Sequence, residues 1–157
     1  MAIRLYLDTN VLCRPFDDQT IRRIRRETEA FERILEKIRD RAATLVASEI
    51  LVFEIQRIVS ASKKAKASGY LPLARGYHLL SEDTYVLAEE MMSRFRLEPR
   101  DALHVASALL GDTEYFLSCD DGITKRFRRE SLSVRIGEQF RSLKVLNPEE
   151  FVKKMRW

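Results

Sequence analysis

The sequence predicts an α/β fold: a single three-layer α/β/α domain, residues 1–157, built on a mostly parallel five-stranded sheet. Three observations carry that prediction. Short apolar runs of strand length alternate with longer segments whose apolar residues recur at helical spacing. The runs at residues 3–7 and 115–119 each stop at a carboxylate, Asp8 and Asp120, as strands do when they deliver polar groups to one edge of a parallel sheet. A chain of 157 residues that is 45% hydrophobic can bury a core, and none of its apolar runs approaches the ~18 residues of a membrane helix.

In chain order, the first strand ends at Asp8, followed by Thr9 and Asn10. A helix is expected from residue 21 to about 41, with Ile24, Phe31, Ile34, Leu35 and Ile38 on one face and Asp18 or Thr20 as its cap. Its other faces set Arg22, Arg23, Arg25 and Arg26 against Glu27, Glu29 and Glu32, which predicts surface ion pairs. Residues 44–47 form a second strand, and Ser48 caps a helix running to about residue 60. The polar stretch 63–69, with Gly69 and Pro72, ends or interrupts that helix. Residues 76–80 are a weak third strand, and 81–94 an amphipathic helix using Val86, Leu87, Met91 and Phe95. Pro99 suits the first turn of the alanine-rich helix 101–110. Residues 115–119 are the fourth strand, a short helix follows Asp120-Asp121-Gly122, and 143–146 are the fifth strand.

Four acids fall where such a topology gathers them. Asp8 and Asp120 follow strands, although Asp8 also suits a turn cap through Thr9 and Asn10. Glu54 has Ile50, Leu51 and Ile58 as helical neighbours, an apolar face where an unpaired carboxylate is costly, so a partner is expected for it. Glu49 lies in the first turn, where the helix dipole alone accounts for it, so Glu54 is preferred. Asp101 opens a helix whose small residues Ala102, Ala106 and Ala108 allow close approach to the sheet. His104, on the same helix, could bond a site carboxylate or a ligand, with a satisfied, partly buried histidine the preferred reading. Asp120 is preferred to Asp121, which precedes Gly122 and reads as a cap.

Carboxylates gathered at one edge repel one another unless a divalent cation neutralises them, and an oxygen-only donor set points to Mg2+ or Mn2+. Such ions bind phosphates, so metal-dependent phosphodiester hydrolysis is the expected reaction class. Residues 125–157 hold ten Lys/Arg against four Asp/Glu, which concentrates the net charge of +4 at the C-terminal end. Lys125, Arg126, Arg128, Arg129, Arg135, Arg141 and Lys144 form either a polyanion-binding face or a solvated surface. Cys13 and Cys119 have no zinc-type or redox-type spacing, and no signal peptide or lipidation pattern is seen, so a reducing, cytoplasmic setting is expected.

Leu7-Asp8-Thr9-Asn10-Val11-Leu12, Ala47-Ser48-Glu49-Ile50-Leu51 with Glu54, Asp101 through Ala108, Phe116-Leu117-Ser118-Cys119-Asp120 and Val145 through Phe151 resemble the successive motifs of the PIN-domain family. The resemblance covers nearly the whole chain and lies in the order and spacing of motifs that are individually weak. It implies strand order 3-2-1-4-5 and a metal-dependent ribonuclease site whose acidic quartet is Asp8, Glu54, Asp101 and Asp120. It also implies that Asn10, by way of Thr9, orients Asp8 rather than binding metal. Compact members of VapC type are toxins that cut RNA, dimerise and are silenced by a small antitoxin. A PIN-like module that binds RNA or protein without cutting is the alternative, and a phosphate-accepting receiver domain ranks behind because residues 78–81 supply no acid at the third strand's end. The long charged helix at 21–41, the insertion at 63–72 and the doubled Asp120-Asp121 depart from the compact toxin pattern.

Overall fold

The computed structural model describes residues 2–127 and 132–157; Arg128 and Arg129 of the predicted basic cluster lie outside the described residues. The first strand, β1 (Ile3–Leu7), leads into a short helix, α1 (Thr9–Cys13), and then α2 (Arg22–Arg39) and β2 (Ala43–Ser48). Helices α3 (Glu49–Gln56) and α4 (Ala61–Ser68) precede β3 (Gly76–His78), and α5 (Glu82–Phe95) and α6 (Pro99–Leu110) precede β4 (Tyr115–Leu117). The chain closes with α7 (Asp121–Thr124), β5 (Leu132–Ile136), β6 (Gln139–Leu146) and α8 (Pro148–Met155).

The sheet order is β3-β2-β1-β4-β6-β5. Strands β3, β2, β1, β4 and β6 are parallel, and their order is the predicted one with β6 in the fifth place. The sheet has a sixth strand that the sequence reading lacks: β5 pairs antiparallel with β6 through the two-residue turn Gly137-Glu138. Gly137 adopts φ 63 there, the left-handed backbone a tight hairpin needs and glycine adopts without steric cost.

Alternation along β1 sends side chains to two apolar layers, so both faces of the sheet are covered. Leu5 and Leu7 pack with Phe31 and Ile34 of α2 and Phe151 of α8, whereas Tyr6 packs with Met91 of α5, Val105 of α6 and Phe116 of β4. This places β1 at the centre with its C-terminal end between β2 and β4.

Three local expectations need correction. Neither Asp18 nor Thr20 caps α2; Asp18 accepts from the Thr20 amide at 2.9 Å and closes the turn before it, while Ile21 takes the capping position without a side-chain bond. Glu27 keeps a 3.5 Å ion pair with Arg23 of the expected helix pairing, but it lies inward, 1% exposed and bonded to Arg14 and Asn147. The polar segment 63–69 is largely helical, because Ser60 caps a new helix by accepting from the Lys63 amide at 3.2 Å. Among the described residues no helix is long and apolar enough to cross a membrane.

Candidate active site

Three connections meet at the C-terminal edge of the central strands. Asp8 leaves β1 directly and caps α1, its Oδ1 accepting from the Thr9 amide at 2.8 Å. Its Oδ2 accepts from Ser118 Oγ at 2.8 Å and from Asn10 Nδ2 at 3.1 Å. Asn10 Oδ1 in turn accepts from the Cys119 amide at 2.9 Å, so one asparagine ties Asp8 to the end of β4. These bonds hold a carboxylate that is only 5% exposed.

Ser48 caps α3 by accepting from the Leu51 amide at 3.2 Å, and that helix carries Glu54 to the same edge. Glu54 Oε1 accepts from Thr9 Oγ1 at 2.6 Å and from His104 Nε2. Its other oxygen, Oε2, lies 3.6 Å from Arg100 Nη1. The partner expected for Glu54 is therefore a set of three groups, and Thr9 bonds Glu54 as well as Asp8.

Helix α6 brings Arg100, Asp101 and His104 on its first two turns. His104 is both things the sequence left open, a buried histidine at 1% exposure and a carboxylate partner. Its Nδ1 meets the Tyr6 hydroxyl at 2.6 Å, and that hydroxyl meets Ser48 Oγ at 2.5 Å. Sequence reasoning missed Tyr6 and Ser118 as polar elements of this edge. Asp120 is exposed and caps α7, its Oδ1 accepting from the Gly122 amide at 2.7 Å.

The two competing acids have other partners. Asp121 accepts from Arg23 Nη1 and Nη2 at 2.9 and 2.7 Å, and Glu49 accepts from the Leu80 amide at 2.8 Å. Part of the basic excess is also engaged locally. Arg126 donates to the Phe95 carbonyl at the end of α5, and Arg141 to the Leu109 and Leu110 carbonyls at the end of α6.

Electrostatics link the four acids. Burial, then the charges of Asp8, Asp120 and Glu54, push the Asp101 carboxyl up to about 6, against an opposing pull from His104. Burial also raises Asp8, opposed by His104 and the Ser118 bond. Burial would raise Glu54 too, but the bonds from His104 and Thr9 and the charge of Arg100 outweigh it and hold Glu54 below its usual value. For His104, burial lowers the pKa and is outweighed by the Glu54 bond and the charges of Asp8, Glu54 and Asp101.

Asp8, Glu54 and His104 each offer a ligand atom within 4.8 Å of the other two. Asp101 adds a carboxyl whose ionisation its acidic neighbours resist, a condition that a divalent cation relieves. The carboxylate oxygens of this group fit a hard divalent cation.

The family model of the PIN domain matches residues 5–129. The chain belongs to the PIN domain family. A comparison with curated protein sequences finds no match. Solved structures show the PIN fold of this chain independently. It is similar to FitAcB from Neisseria gonorrhoeae, at 19% identity and TM-score 0.57, covering 92% of this chain and 97% of that one. VapBC2 from Rickettsia felis, bound to a DNA fragment from its promoter, matches at 14% identity and TM-score 0.57 over 92% of this chain and 98% of that one. A toxin-antitoxin complex from Klebsiella pneumoniae matches at 19% identity and TM-score 0.55 over 92% and 97%.

The charge pattern of this PIN domain gives stability a definite slope with pH. Asp8, Asp101 and His104 all have folded pKa values above their ordinary ones, so the native protein binds more protons than the unfolded chain between those values. Metal-free stability is expected to fall as pH rises from about 4.5 through 7. Glu54, held low, contributes stability that is complete above its ordinary value and does not oppose that slope, whereas His78, which burial holds below its ordinary value, opposes it below pH 6.5 as one part-buried group against Asp101 and His104. Thermal melts of chelator-treated protein at pH 5, 6 and 7.5 check this, with Mn2+ expected to flatten the trend. A melting temperature that climbs over this range without metal contradicts it.

Proposed function

We propose that this PIN domain protein is a metal-dependent endoribonuclease, with Asp8, Glu54, Asp101 and Asp120 as its catalytic and metal-holding acids and Mg2+ or Mn2+ as its cofactor. The observation that carries this reading is the gathering of Asp8 and Glu54, with His104, at one sheet edge with ligand atoms within 4.8 Å of one another, and the raised Asp101 carboxyl beside them supports it. When bound, the cation would neutralise the carboxylates and stabilise charge on a phosphodiester undergoing hydrolysis. Thr9, Asn10 and Ser118 orient Asp8, while Thr9 and His104 orient Glu54. Arg100, 56% exposed beside Glu54, is available to a substrate phosphate.

We extend the proposal to a toxin role, a small antitoxin partner and a homodimer. The similar structures from Klebsiella pneumoniae and Rickettsia felis, a toxin-antitoxin complex and a promoter-bound VapBC2, support the first two. The exposed apolar side chains Tyr77, Leu79, Tyr85 and Val86 offer area for a protein partner. The free, buried Cys13 and Cys119 and an RNA substrate suit the cytoplasm.

The deciding experiment compares wild type with Asp8→Asn on mixed single-stranded and structured RNA, with Mn2+ or with chelator. Cleavage is expected only for wild type with metal, with a loss of roughly a hundredfold or more in the variant. Retained RNA binding that is indifferent to metal, chelator and the substitution would instead establish the non-cleaving module.

A further inference from the structure

Four side chains form a polar line through the otherwise apolar layer between the sheet and α6: Ser48 Oγ, Tyr6 Oη, His104 and Glu54 Oε1. Ser48 and Tyr6 are fully buried, and His104 is 1% exposed. The Tyr6 ring stacks on Phe116 at 5.3 Å with a 9° interplanar angle, packing that a phenylalanine would serve equally. A buried hydroxyl is costly unless bonded, so the oxygen needs a reason beyond packing. We propose that Tyr6 and Ser48 are positioning residues, which lock the His104 ring so that its Nε2–H fixes Glu54 and selects the carboxylate oxygen presented to the cation.

Proton bookkeeping supports the direction of the line. Glu54 is an acceptor only when ionised, so Nε2 donates to it and Nδ1 falls to Tyr6. A tyrosine hydroxyl both donates and accepts. It gives its proton to Nδ1 of a neutral ring while accepting from Ser48, or accepts from Nδ1–H of a charged ring while donating to Ser48. The ring therefore keeps one orientation in either charge state. Ser48 is itself held, because its oxygen accepts from the Leu51 amide at the start of α3.

The consequence falls on Glu54. Oε1 receives two donors, Thr9 Oγ1 and His104 Nε2, whereas among the described residues Oε2 faces only the half-exposed Arg100 at 3.6 Å. Release of the ring would free the carboxylate to rotate toward Arg100. Both ring nitrogens are engaged, which makes His104 a support for a ligand rather than a ligand. Groups that hold ligands in this way typically contribute 10–100-fold to metal affinity.

The role toward the cation rests on the metal-site reading above, so the test separates the two. Mn2+ affinity is measured by calorimetry for wild type, Tyr6→Phe, His104→Gln and the double variant. Glutamine places an amide donor near the Nε2 position and needs no partner at Tyr6. Tyr6→Phe is expected to weaken Mn2+ binding about tenfold, and to add nothing once His104→Gln is present. Unchanged affinity in Tyr6→Phe, or an undiminished loss in the double variant, overturns the proposal.

A second readout needs no variant: ring 15N shifts of metal-free wild type should show His104 Nε2 carrying a proton. A bare Nε2, or a directly coordinated nitrogen in the electron spin echo spectrum of the Mn2+ complex, also overturns it. Wild type that binds no Mn2+ defeats the proposed metal site instead, and the ring assignment then judges the line by itself.

Discussion

Asp101→Asn is expected to abolish metal-dependent cleavage while making the metal-free protein more stable. The carboxyl sits at the start of α6, and burial and three acidic neighbours move it from 3.8 to about 6. At pH 7.5 it is ionised at the fold's expense. The full shift corresponds to about 3 kcal/mol, but the group is substantially solvated, so about 1 kcal/mol is the realistic gain on neutralising it. For a domain of this size that raises the melting temperature by about 2–4 °C. Cleavage is expected to fall roughly a thousandfold, since removing one anionic donor weakens the hold on the cation and its charge stabilisation. Melts with and without Mn2+ complete the test: wild type gains stability from the metal by linkage, and the variant much less. A destabilised variant that still cuts RNA would remove Asp101 from the site.

Three of the acids proposed for the site stood out in the sequence because they broke a local pattern, whereas Asp101, in the first turn of α6, is where a helix ordinarily takes an acid. Asp8 and Asp120 interrupt apolar runs at strand ends, and Glu54 interrupts an apolar helix face, where its need for a partner is met by Thr9, His104 and Arg100. What joins them was not visible. Tyr6 obeys the alternation of β1 and reads as a core aromatic, and Ser48 reads as a helix cap, which it also is. Their mutual bond depends on β1 and β2 lying side by side, and His104 reaches them only because α6 packs on that face of the sheet. A side chain can satisfy its local rule and still serve a second partner that only the tertiary fold supplies.

A mostly parallel sheet was legible because strands and helices alternate at crossover spacing, while the strand order came from the resemblance to the PIN-domain family. The hairpin of β5 and β6 was missed although its signal is present. Leu132, Val134, Leu143 and Val145 alternate with exposed residues around Gly137-Glu138, which is strand periodicity across a two-residue turn. Charged residues at Arg135, Arg141 and Lys144 drew attention to surface charge instead. All three long side chains have structural partners, Arg135 on the Gly137 carbonyl, Arg141 on the last carbonyls of α6 and Lys144 over the Tyr115 ring.

Glu27→Ala is expected to destabilise the protein by about 3–5 kcal/mol, the cost of stranding the partners of a buried ion pair. Sequence periodicity set Glu27 among surface charges of α2, but its side chain turns inward. There Oε1 accepts from Arg14 Nε at 3.0 Å and Nη2 at 2.8 Å, with Arg23 at 3.5 Å, and Oε2 accepts from Asn147, the residue that caps α8. One carboxylate thus joins the segment after α1 to α2 and α8, elements far apart in the chain. Alanine leaves Arg14, 19% exposed, with Asp17 at 3.2 Å as its remaining ion-pair partner among the described residues. The expected fall in melting temperature is about 10 °C, read by calorimetry. The double variant Glu27→Leu with Arg14→Met separates causes, because removing both charges together abolishes the stranded guanidinium and should recover most of the loss. If Glu27→Ala costs less than about 1 kcal/mol, the ion pair behaves as the surface pairing its sequence suggests, and α8 is held by its apolar contacts with Phe31 and Ile34 instead.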